Sequence, residues 1–228
     1  MTTMTIVGGL ARWMHFFFGV MWIGLLYYFN FVQAQAVAEA NAAAPGTAAP
    51  IVKYVLPRAL FYFRWAAVIT WIMGAILLGT LGDGTGFVKA FTFQAPFTGI
   101  GIGAWLGTIM LINVWTFIWQ NQKKVIGLTP ATDDEKNVAR RVAFLASRTN
   151  TMLSIPMLFF MAAANHLPIV TSETSNYTLC GVIVGVIILA LAFNGVKGKT
   201  GPITSIKGVI HMGFLLAVVL YATMEFTL

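Results

Sequence analysis

The stretch Phe144–His166, "FLASRTNTMLSIPMLFFMAAANH", decides how the rest of the chain is read. It opens with Ser147, Arg148, Thr149 and Asn150, turns almost wholly apolar, and closes on Asn165 and His166. Its length suits a helix that crosses a bilayer, since about 20 residues at about 1.5 Å each cover a hydrocarbon core of about 30 Å. An arginine at one end of such a helix and a histidine at the other need an explanation from the remaining residues.

Composition sets the solvent. Of 228 residues, 58% are hydrophobic and 9% charged, and the mean hydropathy is +0.81. A soluble domain carries roughly 25% charged residues, so this chain cannot cover a globule with polar surface. Six apolar segments follow one another, at about 8–32, 57–81, 97–120, 145–166, 177–194 and 204–227. They are continuous rather than alternating, which argues for helices and against barrel strands. The expected fold class is all-α, a polytopic membrane bundle of about six transmembrane helices in one domain, 1–228. Arg12, the run 16–29 and Ala34-Gln35-Ala36 together have the look of a cleavable signal peptide, but the segment reads better as the first transmembrane helix.

Breakers mark the connections. Ala42–Pro50 is rich in Ala, Gly and Pro, Gly82–Gly86 is a tight polar turn, and Gly195–Pro202 holds three glycines and a proline. Ala34–Ala44 suits a short surface helix. The glycines of 99–107 suit close helix packing rather than a nucleotide loop, because they lie inside an apolar span. Gly198-Lys199-Thr200 lacks the strand and first glycine of a phosphate loop. Asp133-Asp134-Glu135 reads as a solvated loop or a helix start. Cys180 is the single cysteine, so an internal disulfide and a C-x-x-C site, whether for zinc or for a covalent c-type haem, are excluded.

The net charge of +7 is distributed unevenly. With six spans, the N-terminus, the second and fourth connections and the C-terminus share one face, which holds Arg12 and Lys89. The other face holds Lys53, Arg58, Arg64, Lys123, Lys124, Lys136, Arg140, Arg141, Arg148, Lys197, Lys199 and Lys207. A split of twelve to two places the second face in the cytoplasm and both termini outside. The positive charge therefore belongs to membrane topology, and no nucleic-acid partner is expected.

Polar residues inside spans are costly and raise functional questions. An inner group comprises Asn30, Arg64, Asn113, Arg148, Asn150 and His211; an outer group comprises Arg12, His15, Asn165 and His166. Two readings of the inner group stand side by side. Arginines can snorkel to headgroups while asparagines bond between helices. Alternatively, Arg64, Asn113, Arg148 and Asn150 form a pocket for a planar anion, because the spans supply no carboxylate to neutralise the arginines; Asp83, Glu173 and Glu225 fall on the outer side and Glu39 in an inner loop. The histidines likewise serve interfacial hydrogen bonding, or ligate a b-type haem or another metal, with His15 and His166 as the first pair, His211 as an alternative, and Met157 or Met161 as a second type of axial ligand.

Several segments together resemble the N-terminal membrane domain of the bacterial membrane-bound urate oxidase (urate hydroxylase) family. They are Arg12-Trp13 with His15, "MWIGLLYYFNFVQ" at 21–33, "RALFYFRWAAVITWIMG" at 58–74, "NVWTFIWQNQKKVIG" at 113–127 and, most specifically, "ASRTNTMLSIPMLFFMAAANH" at 146–166. No comparable motif is read after about residue 170. The resemblance implies a multi-pass protein of the bacterial inner membrane that oxidises urate or a similar small anion. It also implies electron transfer to cytochrome c. The complete family form carries a cytochrome c domain with C-x-x-C-H, which this sequence lacks, so a separate cytochrome c is the expected acceptor. Two other functions remain open: an accessory, non-catalytic subunit of a larger respiratory or photosynthetic membrane complex, and a small-anion transporter.

Overall fold

The computed structural model describes residues 2–167 and 175–228, and the described residues are almost entirely helical, with no strand among them. Helix α1 runs Thr3–Ala43, α2 Ile51–Gly79, α4 Thr98–Val125, α6 Tyr177–Lys197 and α7 Ile206–Thr227; these five are long and apolar enough to cross a membrane. A short α3, Gly86–Phe91, and a long α5, Asp133–His166, complete the set. The membrane-type all-α bundle expected from composition is the architecture observed. Glu173 and the side chain of Asn165 lie outside the described residues.

The remaining span of the sequence reading, the fourth in chain order, is α5, and it is the least apolar long helix of the bundle for a structural reason. Its 34 residues measure about 51 Å, more than a bilayer core. It packs against α1, α4, α6 and α7, so it runs through the middle of the molecule rather than along the lipid. Its polar residues Arg148, Thr149, Asn150, Thr151 and Ser154 are all buried. A side chain shielded by neighbouring helices does not have to be apolar to sit at membrane depth. Asn150 reaches α4 at Asn113 and Met110, while Phe160 and Met161 face Gly103 further along the same helix. Helix α5 therefore covers the depth that α4 covers.

Each helix end has a local cause. Thr132 and Glu135 form a reciprocal capping box that starts α5 twelve residues before the apolar run. The acidic residues 133–135 fall in that first turn, where the helix dipole favours negative charge. Pro156 inside α5 deprives the Met152 carbonyl of its usual donor. That carbonyl faces Gly213 of α7, where an added Cβ would come within 3.0 Å of it, so the two backbones approach closely.

Two segments depart from the sequence reading. Ala34–Ala43, expected as a separate surface helix, continues α1 without a break through a π-helical stretch at Tyr28–Gln33. The turn at 82–86 leads into α3, whose Phe87 and Phe91 pack with Phe97 on Leu78, Ala90 and Ala104. Gly101 lies against the backbone of Ala90 with no room for a Cβ, which is the close packing expected of the 99–107 glycines.

Contacts fix how the ends are arranged. The start of α1 meets the end of α2 at Gly8 and Thr80, and Asn176 before α6 donates to the Thr227 carbonyl at the end of α7. Both termini thus lie at one end of the bundle, opposite the end that carries the twelve basic residues.

Candidate functional site: a buried polar layer around α5

About two turns of α5, residues 147–154, gather most of the buried polar side chains. Asn150 is wholly buried; its side-chain oxygen accepts from Asn113 Nδ2 at 2.8 Å, and its Nδ2 donates to the Met110 carbonyl at 2.9 Å. Asn30 of α1 donates from Nδ2 to Ser147 Oγ at 2.8 Å and to the Leu26 carbonyl at 2.9 Å. The Tyr27 hydroxyl and Ser154 Oγ share a hydrogen bond of 2.9 Å, and Ser154 also donates to the Thr151 carbonyl. Hence α5 is tied to α1 by two side-chain pairs and to α4 by a third.

The backbone is unusual at both partners. Asn30 lies within the π-helical stretch Tyr28–Gln33 of α1, and Asn113 immediately precedes the π-helical stretch Val114–Ile118 of α4. Such stretches shift the side-chain register within a helix and are frequent at functional sites. Each neighbour presents one asparagine to α5 within or next to such a stretch.

Arg148 stands apart from this satisfied network. It is 2% exposed and heads the largest fully buried side chains. Its Cζ lies 5.0 Å from the centre of the Phe144 ring, and its Nε and Nη1 have no hydrogen-bond partner among the described residues. Thr149 Oγ1 is likewise buried without a partner, and Thr149 packs against Gly195 of α6, where a Cβ would approach it to 2.8 Å. The only ion pair among the described residues is Lys136–Asp133, at 3.4 Å on the surface. No carboxylate among the described residues answers Arg148.

Arg64 has a different setting. Its guanidinium stacks on the Trp119 indole at 3.8 Å and lies 5.2 Å from Phe61, while its carbonyl accepts from Trp115 Nε1 at 3.3 Å. Asn113 and Asn150 are brought together, and Arg148 shares α5 with Asn150; no contact among the described residues joins Arg64 to this group. Asn113 also lines an open, largely apolar groove of about 370 Å³ between α4 and α6, with Ile109, Phe117, Leu189, Phe193 and Lys197. Arg148 is not on its wall.

The histidines are dispersed. His15 is part-buried on α1 with its ring against Gly74, and its Nδ1 lies 2.8 Å from the Thr70 carbonyl. A carbonyl only accepts, so Nδ1 carries the proton and a neutral ring keeps its lone pair on Nε2. His166, at the end of α5, and His211 on α7 are exposed. Among the described residues no three His, Cys, Asp or Glu side chains cluster as a metal site.

Sequence reasoning singled out Asn30, Asn113, Arg148 and Asn150 but missed Tyr27, Ser147, Thr149 and Ser154. The hydroxyls crowded into 147–154 were the available signal, since such residues inside a span find partners on neighbouring helices.

The sequence model of the family described as urate oxidase N-terminal matches residues 84–223. The match begins after α2 and ends within α7, so it extends past residue 170, the limit of the resemblance read from the sequence. No curated protein and no solved structure matches. The matched span holds 140 of the 228 residues and all of α5, with the α4 and α5 side of the polar layer, so the chain belongs to the urate oxidase N-terminal family.

Proposed function

We propose that this chain is a membrane redox protein of the urate-oxidase type, which binds urate or a similar small planar anion at Arg148 and delivers its electrons to a separate cytochrome c. Family membership supports the chemistry. The observation that carries the binding site is the buried guanidinium of Arg148, with two unpartnered nitrogens and no carboxylate.

The physical argument is one of charge. A buried, unpaired ion costs several kcal/mol even after relaxation, and an intramembrane arginine is expensive unless it is paired or hydrated. Its planar donor array suits anionic oxygens. Urate at neutral pH is a planar monoanion whose carbonyl oxygens and ring nitrogens would meet the free N–H groups of Arg148. The role of Asn113 and Asn150 is positional: their mutual bond and the Met110 carbonyl hold α4 and α5 in register. Thr149 Oγ1 is a second polar atom able to meet a ligand in the same layer.

Oxidising urate to its hydroxylated product consumes water and releases two electrons with two protons, so an acceptor is required. A haem or another redox metal would supply one-electron transfer between urate and the cytochrome. Of the three histidines, His15 is the one prepared as a ligand, because its Nδ1–H is held by Thr70 and its Nε2 lone pair would be available to a metal. His166 and His211, expected from the sequence as its partners, make no contact with it among the described residues. The topology fits this scheme when the basic end faces the cytoplasm of a bacterial inner membrane and both termini face outward.

The test is the absorption spectrum of the purified protein before and after urate. A Soret band with visible bands that shift on urate addition supports the redox reading. A colourless protein that co-purifies with a large complex assigns the chain to the accessory-subunit class instead.

A further inference from the structure

Helices α2 and α4 meet in a basic–aromatic cluster outside the polar layer. Two cations share one indole: Arg64 Cζ lies 3.8 Å and Lys123 Nζ 5.9 Å from the centre of the Trp119 ring. Trp65 and Trp115 pack edge to face beside them at 5.4 Å. The Arg64 guanidinium makes no hydrogen bond among the described residues, and neither cation has a carboxylate partner there. Two positive groups gathered at one ring with no carboxylate beside them favour binding of an anion near both.

Depth identifies the anion. Arg64 is 15 residues from Gly79 at the far end of α2, or about 22 Å along the axis. Trp119 is 21 residues from Thr98 at the corresponding end of α4, or about 32 Å. Trp115, one turn earlier on α4, is the residue that bonds the Arg64 carbonyl. The Arg64 side chain therefore reaches roughly one turn, about 5.4 Å, from its own backbone level toward the basic end. It stops at the depth of Trp119, about one bilayer core away from the opposite end, where the lipid phosphates lie. Phe61 and Trp65 on the same surface are exposed, and an exposed indole such as that of Trp65 belongs at the headgroup boundary.

We infer that Arg64, Lys123 and Trp119 form a headgroup site for an anionic phospholipid, the phosphate held between the two cations and the lipid body against Phe61 and Trp65. This inference is independent of the urate reading, and it gives the two intramembrane arginines different anions.

The test is native mass spectrometry of the purified chain in detergent, titrated with phosphatidylglycerol, phosphatidylcholine and inorganic phosphate. The expected result is that phosphatidylglycerol binds at concentrations at least about tenfold below phosphatidylcholine, and that inorganic phosphate binds far more weakly than either lipid. Arg64→Gln and the partly exposed Lys123→Gln should each reduce the preference. Arg58→Gln should keep it, because Arg58 is occupied with the Tyr54 carbonyl. Equal binding of the two lipids, or a preference that survives Lys123→Gln, overturns the site. Inorganic phosphate binding as tightly as phosphatidylglycerol overturns its assignment to lipid. Urate binding need not change in either variant, so this outcome is separable from that of the proposed function.

Discussion

Replacing Arg148 with methionine separates a ligand-binding arginine from a structural one, because the two roles predict opposite signs. Arg148 is 2% exposed and two of its nitrogens have no partner. In the ligand-free protein it is an uncompensated buried charge. Methionine fills similar space, keeps the contact with Phe144 and leaves no unmet donor. Exchanging buried ionic groups for apolar ones of similar volume is neutral or stabilising by about 1–4 kcal/mol. The ligand-free Arg148→Met protein should therefore unfold at the same temperature as the parent or a higher one. In the presence of urate the parent should gain on the variant by more than about 2 kcal/mol, closing or reversing the gap. Each hydrogen bond to a charged group contributes about 1.5–3 kcal/mol, so losing those of Nε and Nη1 lowers affinity by about 3–6 kcal/mol, at least a hundredfold. The parent should gain about 2.7 kcal/mol at a urate concentration a hundred times its dissociation constant; the variant should gain at most about 0.4 kcal/mol. Calorimetric titration with urate and thermal unfolding with and without it measure both effects. A variant that is destabilised by about 3–5 kcal/mol without ligand, the signature of a broken buried pair, and that still binds urate would refute the reasoning.

Three further predictions follow from the same geometry. Asn113→Ala and Asn150→Ala should each destabilise the bundle by about 0.6–1.7 kcal/mol, the range of interhelical side-chain bonds in membranes, and the double variant by less than their sum, as a double-mutant cycle of unfolding would show. The capping box holds the Glu135 carboxyl below its ordinary range, first through the Thr132 backbone N–H and then through its hydroxyl; a lowered folded value means that the bond stabilises the start of α5 above the unfolded value of about 4.3 and is lost as pH falls through the folded one. Hydrogen exchange at 133–137 should accordingly speed up in acid beyond its intrinsic rate, and Glu135→Gln should remove that extra change. A cysteine at Thr132 should react with impermeant reagents only from the cytoplasmic face, and its labelling on intact cells would reverse the proposed orientation.

What the sequence disclosed depends on the range of the interaction. The spans, the polar start of the α5 apolar run and the basic end were legible because hydropathy and charge are local properties. The start of α5 at Asp133 lay outside the apolar pattern, since residues 133–137 are polar; Asp133-Asp134-Glu135 reads in the sequence as a solvated loop or a helix start, and the Thr132–Glu135 capping box makes it the helix start. Helix α3 escaped because six residues are too few to show a period. The pairings Asn30–Ser147, Tyr27–Ser154 and Arg64–Trp119 were not legible, because each needs the rotation of two helices about their axes. The π-helical stretches of α1 and α4 change that rotation midway, and an assumed 3.6-residue period does not anticipate them. For the same reason Arg64 and Arg148, grouped by depth alone, face different surroundings.

The redox claim is tested most directly by urate consumption coupled to cytochrome c. The purified chain in proteoliposomes, given urate and ferricytochrome c, should consume urate and reduce two cytochromes for each urate oxidised, with the Arg148→Met protein inactive. Reconstituted, folded protein that binds urate and yet leaves both urate and ferricytochrome c unchanged would contradict the account.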